Sequence, residues 1–370
     1  MRPAKTTPRN GSYANLTDVA RKTVVVVLIT ILLLTVAYLA WRSVQVLLQA
    51  FAGVLFAIFL TTLAGWLQRY TGLAYRWSLT IVVGALFLLT ASLGWLLANR
   101  LAIQFAQLTE QLPLSVEQLR EYLERYEWGR FVLAQLPQLP EAVARSGGEI
   151  ISVILGGANL LVAAAVILFV GIFGAAEPGL YRDGLIRIAP RPYRPRVQDA
   201  IDAVIFNLKW WLVGQVILMV MIGITTWIGL AIIGVPLALT LGVIAGIMEA
   251  VPYVGPLISA IPALLIALLV SPWHVIWVAL LFLGLHILEG YILAPLITER
   301  AVHLPPALTL VAQVLLGDLA GFLGLFVAAP LTVTAVVLFK MLYVEDTLGD
   351  EDVDVPGEPG NVAPPPARAG

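Results

Sequence analysis

Thr23–Ala40, Val44–Leu67, Leu79–Ala98, Ile150–Ala175, Trp211–Ile233 and Trp273–Ile297 are long apolar stretches almost free of charge. A bilayer core about 30 Å thick takes about 20 such residues per helical crossing. Inside lipid the backbone must satisfy its own hydrogen bonds, which leaves the chain few choices besides helices. Two further apolar stretches, 236–270 and 305–342, are interrupted by Gly and Pro. The expected fold is therefore an all-α polytopic membrane protein. It has about six full transmembrane helices plus two broken or re-entrant helical hairpins, or eight spans if each broken element counts as one crossing. Composition agrees: 60% of residues are hydrophobic and 12% charged, with a mean hydropathy of +0.92. A soluble domain carries about 25% charged residues. The first stretch is too long for the apolar core of a signal peptide and has no small-residue cleavage site after it.

Composition also removes whole classes of chemistry. The net charge of −1 and scattered basic residues give no nucleic-acid footprint. Cysteine is absent, which excludes thiolate metal sites and thiol nucleophiles. The three histidines, His274, His286 and His303, lack metalloprotease spacing, and none of the four lysines follows a glycine as in a phosphate-binding loop. No metal, cofactor or enzymatic activity is expected.

Lys and Arg set the expected orientation. Arg2, Lys5, Arg9, Arg21 and Lys22 keep the N-terminus cytoplasmic; Arg69 and Arg76 mark a second inside loop, and Arg182 to Lys209 a third. Between the last two, residues 99–149 hold seven Glu against five Arg and should lie outside. The expected organisation is a disordered cytoplasmic segment 1–22 and N-terminal transmembrane helices 23–98. An extracytoplasmic amphipathic segment 99–149, broken at Pro113, follows, then a transmembrane helix 150–175 and a basic cytoplasmic loop 176–210. The C-terminal transport block 211–342 carries two repeated broken helices, and a disordered acidic, Pro-rich tail 343–370 ends the chain. The expected location is the cell inner (plasma) membrane, with both termini cytoplasmic. The amphipathic outside segment offers a surface for subunit contact in a homo-oligomer.

The two interrupted stretches are copies of one pattern. PLALTLGVIAGIMEAVPYVGP (236–256) and PALTLVAQVLLGDLAGFLG (306–324) align without a gap from Ala238 and Ala307. The alignment pairs Thr240 with Thr309, Glu249 with Asp318, Tyr253 with Phe322 and Gly255 with Gly324. Repeated apolar segments broken by Gly or Pro point to the binding site of a secondary transporter. Pro252 and Pro256 lack an N–H, and Gly255, Gly321 and Gly324 tolerate positive φ, so helical bonding should lapse there. Pro295 and Pro330 are further candidate breaks. Gly242-x-x-x-Gly246 and Gly317-x-x-x-Gly321 offer small faces for close helix approach.

An ionisable group at bilayer depth costs at least about 2.5–3.5 kcal/mol on insertion scales and marks a functional candidate. Glu249, Glu289 and Asp318 qualify, with His286 and Gln313 as polar company. His286 and Glu289 share one helix face at i, i+3 spacing. For each there is a structural alternative, a carboxylate or imidazole satisfied by a neighbouring helix.

EAVPYVGPLISAIP (249–262), EGYILAP (289–295), VHLPP (302–306) and GFLGLFVAAPL (321–331) together resemble the conserved C-terminal half of the autoinducer-2 exporter (AI-2E) family. The family commonly has an Asn-like residue where this chain has Glu249, so the acid is a departure that adds a protonatable group. The resemblance implies a polytopic inner-membrane permease, usually described with eight spans. Some members are proposed to export autoinducer-2 and others to exchange Na⁺ or Li⁺ for H⁺. The expected function is ion- or proton-coupled efflux of a small polar solute, with H⁺ or Na⁺ and the lipid bilayer as partners. The alternatives are a Na⁺(Li⁺)/H⁺ antiporter and a non-transporting membrane scaffold.

Overall fold

The computed structural model describes residues 43–127, 130–131, 158–293, 305–349 and 355–357, with isolated positions between 27 and 38. Expectations for residues 1–22, most of the first apolar stretch, the distal part of 99–149 and Pro295 lie outside the described residues. Met1–Leu47 forms a compact unit of its own, described only at those isolated positions and in the first turn of α1. All that follows concerns the unit from Leu48 onward.

The described regular structure is helical. In chain order it comprises α1 (Val44–Thr71), α2 (Tyr75–Glu124), α3 (Ala158–Ala176), α4 (Pro178–Ile188), α5 (Arg194–Ile233), α6 (Ala238–Met248), α7 (Val254–Val270), α8 (Pro272–Leu288) and α9 (Pro306–Phe339). Short π-type turns, Glu289–Leu293 and Lys340–Glu345, extend α8 and α9. Five of these segments are long and apolar enough to cross a bilayer, and α3 with α4 makes a sixth candidate bent by 88°. Large side chains such as Phe87, Ile232 and Val314 are 73%, 81% and 71% exposed, a surface that suits lipid and not water.

Helices meet where side chains are small. A Cβ on Gly53 of α1 would lie 2.6 Å from Val170 Cβ, and one on Gly174 would lie 3.1 Å from Ala57 Cβ, so α1 and α3 approach backbone to backbone. Gly223 of α5 plays the same part against α6. A Cβ on Gly242 would meet Gly223 O at 2.8 Å, and one on Gly246 would meet Gly223 Cα at 3.1 Å. The turn joining α5 to α6 is set by Gly234 in the left-handed region (φ 88°), with Val235 N–H donating to Leu230 O. The second small-residue pair serves another end. Gly317 packs against Leu325 across the bend of α9, and Gly321 is the break itself.

Three expectations are corrected. Pro113 does not break the segment that follows Ala98: α2 runs for 50 residues through it, roughly 75 Å at about 1.5 Å per residue. Proline removes only one N–H, and Leu108, Val116 and Leu119 on either side anchor the helix on α6 and α7. Pro330 likewise sits inside a continuing helix, held by Val327, Ala328, Ala329, Val333 and Val337, all fully buried. The tail is not structureless from 343 onward. The π turn continues to Glu345, where Arg196 binds Glu345 and Asp346, and Val355 is buried against α1, α5 and α9 while Asn207 donates to Pro356 O at 2.7 Å.

Candidate functional site

In the first repeat, helical bonding ends at Met248 and resumes at Val254. A continuous helix would separate residues seven apart by about 10 Å along its axis. Here a Cβ on Gly255 would collide with the carbonyl oxygen of Met248, with the carbonyl carbon only 2.6 Å away. The chain therefore turns back on itself, and Gly255 is required by close approach; its φ is not positive. Tyr253 takes the strain instead, at φ 65°, ψ −50°, in a γ-turn closed by Val254 N–H to Pro252 O at 2.8 Å. Pro256 falls in the first turn of α7, where a missing N–H costs nothing.

The second repeat makes the same reversal at Gly321 (φ 61°, ψ −140°), a region open essentially to glycine. A Cβ on Gly324 would collide with Leu316 O, whose carbon is 2.5 Å away, and Gly317 touches Leu325 across the bend. The spatial register departs from the ungapped sequence alignment by one residue before the break. Met248 corresponds to Leu316, and Tyr253 corresponds to Gly321, not to Phe322. One residue is about 100° around a helix, so Asp318 leaves the face that Glu249 occupies. Asp318 is exposed, whereas Glu249 is 1% exposed.

Unwinding releases backbone carbonyls, and buried ones need donors. Gln215 of α5 donates its Nε2 to Glu249 O, and Gln313 of α9 donates its Nε2 to Pro252 O at 2.8 Å. Gln313 is fully buried and ties the first arm of the second broken element to the tip of the first. At the other end of α6, Gln104 of α2 accepts from Thr240 Oγ1 at 2.7 Å and from Thr240 N–H at 3.3 Å. This caps the helix N-terminus and keeps Thr240 away from the break. Thr309 bonds only locally, to Pro305 O at 3.4 Å.

The Glu249 side chain points into a cavity lined by Thr226, Pro256, Ser259, Phe282, His286 and Glu289 among others. Neither carboxylate oxygen of Glu249 has a hydrogen-bond partner among the described residues, and the same holds for the Thr226 hydroxyl. The Glu289 carboxyl lines the same cavity. Glu289 in turn lies 3.8 Å from His286 Nδ1, as i, i+3 spacing predicts, with its side chain 16% exposed against 56% for His286. The cavity holds about 10 Å³ for the centre of a water-sized occupant. One water or one small ion fills such a space.

The structure thus brings Glu249, Glu289 and His286 to one cavity, sets Gln313 behind the tip, and leaves Asp318 off its lining. Gln215, Thr226 and Ser259 escaped the reading of the sequence. Gln215 and Thr226 carry a legible signal, polar side chains inside the apolar run Trp211–Ile233; Ser259 is hidden because serine is ordinary in a helix.

The profile of the AI-2E family transporter matches residues 26–343. YrrI of Bacillus subtilis is 28% identical over 71% of this chain and 77% of its own length. YhhT of Escherichia coli K12 is 24% identical over 87% of this chain and 91% of its own. Both are named provisionally as transport proteins. The AI-2 transport protein TqsA of the same strain is 24% identical over 75% of this chain and 78% of its own length.

Proposed function

The chain belongs to the AI-2E transporter family, and from that premise we propose that it is an ion- or proton-coupled secondary transporter exporting a small polar solute. The observation that carries this reading is Glu249. A carboxyl that is 1% exposed, with neither oxygen hydrogen-bonded among the described residues and a second carboxyl on the same cavity, is costly as a bare buried charge and favours either the neutral acid or a bound cation. Such a group couples occupancy of the site to a proton or ion. Its position at an unwound tip puts it where transporters place solute and ion sites.

The two reversals act as re-entrant hairpins whose tips meet near the midplane. At 1.5 Å per residue, α6 is about 16 Å long and the arm 306–320 about 22 Å, both short of a 30 Å core. The connecting α8 is the full crossing between them, so the second hairpin enters from the opposite side. The ends carrying the basic loops are cytoplasmic, in the inner membrane. The hydrogen bond of 2.7 Å from Tyr75 Oη to Ala175 O brings the loop after Thr71 beside the end of α3, in keeping with a shared side for Arg69, Arg76 and the basic 182–209 stretch. Rocking of the C-terminal block against α1 to α3 then changes which side the cavity faces.

A second reading, exchange of Na⁺ or Li⁺ for H⁺, draws on the two carboxyl groups, Glu249 and Glu289, that line one cavity. Proteoliposomes under an imposed pH gradient separate the two. A furanosyl solute that moves protons supports export, and sodium or lithium alone supports exchange. Proton movement with none of them, in protein shown to be inserted, overturns both.

A further inference from the structure

We propose that α4 is an interfacial helix seated in the headgroup–acyl boundary of the leaflet where α3 ends, its apolar stripe inserted among the lipid chains and two arginines on acidic headgroups. The proposal rests on the membrane reading of the chain and not on the choice of solute. Its first support is direction: α4 leaves α3 at 88° across the single residue Glu177, so a helix crossing the bilayer is followed by one lying along it.

The second support is the distribution of side chains around α4. At 100° per residue, Leu180, Gly184, Ile188, Tyr181 and Leu185 fall in one continuous arc. Leu180, Tyr181, Leu185 and Ile188 are 64%, 53%, 56% and 81% exposed. The protein holds α4 by a different face, where the Arg182 guanidinium makes a double hydrogen bond to Asp202 of α5, Nε to Oδ1 at 2.8 Å. Helices usually dock by their apolar stripe; this one docks by an ion pair and turns the stripe outward.

The third support is charge. Arg194 is spent within the protein, donating to Ala189 O and Arg187 O at the end of α4. Arg187 and Arg191 are exposed and have no acidic partner among the described residues. A short helix with an apolar arc and flanking arginines is the pattern that binds an acidic leaflet.

The chain has no cysteine, so single labels can be placed without background. Spin labels on Leu185→Cys, Ile188→Cys and Asp183→Cys would be read in vesicles of phosphatidylcholine with and without phosphatidylglycerol, using oxygen and a water-soluble nickel chelate as relaxants. The expected result is an oxygen-to-chelate accessibility ratio several-fold higher at 185 and 188 than at 183. In the acidic vesicles alone, the double variant Arg187→Gln/Arg191→Gln should lower that ratio. Equal chelate access at all three positions would overturn the proposal, as would dipolar broadening between labels at 188, which would mean a second copy covers the stripe. Depth that ignores phosphatidylglycerol in both backgrounds would overturn the headgroup contact. Size-exclusion profiles of each variant separate these outcomes from misfolding.

Discussion

Gly255→Ala adds one methyl group where the structure has no room for it, and the obstructing atoms are backbone. The new Cβ would collide with Met248 O, with Met248 C at 2.6 Å and Glu249 N at 3.3 Å. Overpacking that side chains can absorb costs about 1–3 kcal/mol. Here the neighbours cannot rotate away, because Gln215 fixes Glu249 O and Gln313 fixes Pro252 O on the same short segment. The cost therefore sits near the top of that range, about 3 kcal/mol, or roughly a 100-fold bias against the closed tip at 1.4 kcal/mol per factor of ten. Gly324→Ala should match it, since Leu316 O and C block it in the same way. Gly53→Ala meets the Val170 side chain at 2.6 Å, with backbone (Ile167 O) only at an ordinary 3.4 Å, and should be intermediate, costing about 1–2 kcal/mol. Gly84→Ala meets nothing within 4 Å and should be harmless. The assay is the initial rate of pH-gradient-driven transport in proteoliposomes, normalised to protein that elutes as a single species. If the Gly255 and Gly324 variants transport as fast as Gly84→Ala, the tight reversal is not the working conformation.

Replacing Gln313 by Leu removes one of the two donors to Pro252 O and leaves the Val254 N–H, at about 0.5–1.5 kcal/mol; the thermal unfolding midpoint should fall, while Gln313→Glu, held neutral, partly restores it. Glu249→Gln should abolish the pH dependence of transport in inserted protein. Asp318→Asn should keep it, because Asp318 is exposed and off the cavity; loss of pH dependence in the Asp318 variant alone would move the coupling role there. Asn207→Ala removes the bonds to Ala203 O and Pro356 O, at 2.9 and 2.7 Å, and should speed proteolytic removal of the tail. Unchanged cleavage kinetics would mean that Val355 and its neighbours, not Asn207, hold the tail.

The run lengths of apolar residues determined by themselves that the chain is helical and membrane-bound, because hydrophobic length against bilayer thickness is a one-dimensional quantity. The breaks were legible for the same reason: Pro252 and Gly321 act locally on the backbone. Glu249, Glu289 and His286 were also legible, since an ionisable side chain in an apolar run has few innocent explanations, and i, i+3 spacing alone puts the last two together. What required the tertiary structure was everything that depends on rotation about a helix or on a neighbour far along the chain. The one-residue shift at the second reversal, which turns Asp318 away while Glu249 is enclosed, leaves no mark in an ungapped alignment. Pro113 and Pro330 read as breaks, yet packing on both sides carries the helix through them. The donors that hold the unwound tip, Gln215 and Gln313, come from α5 and α9, and only folding brings them to the carbonyls that the break set free.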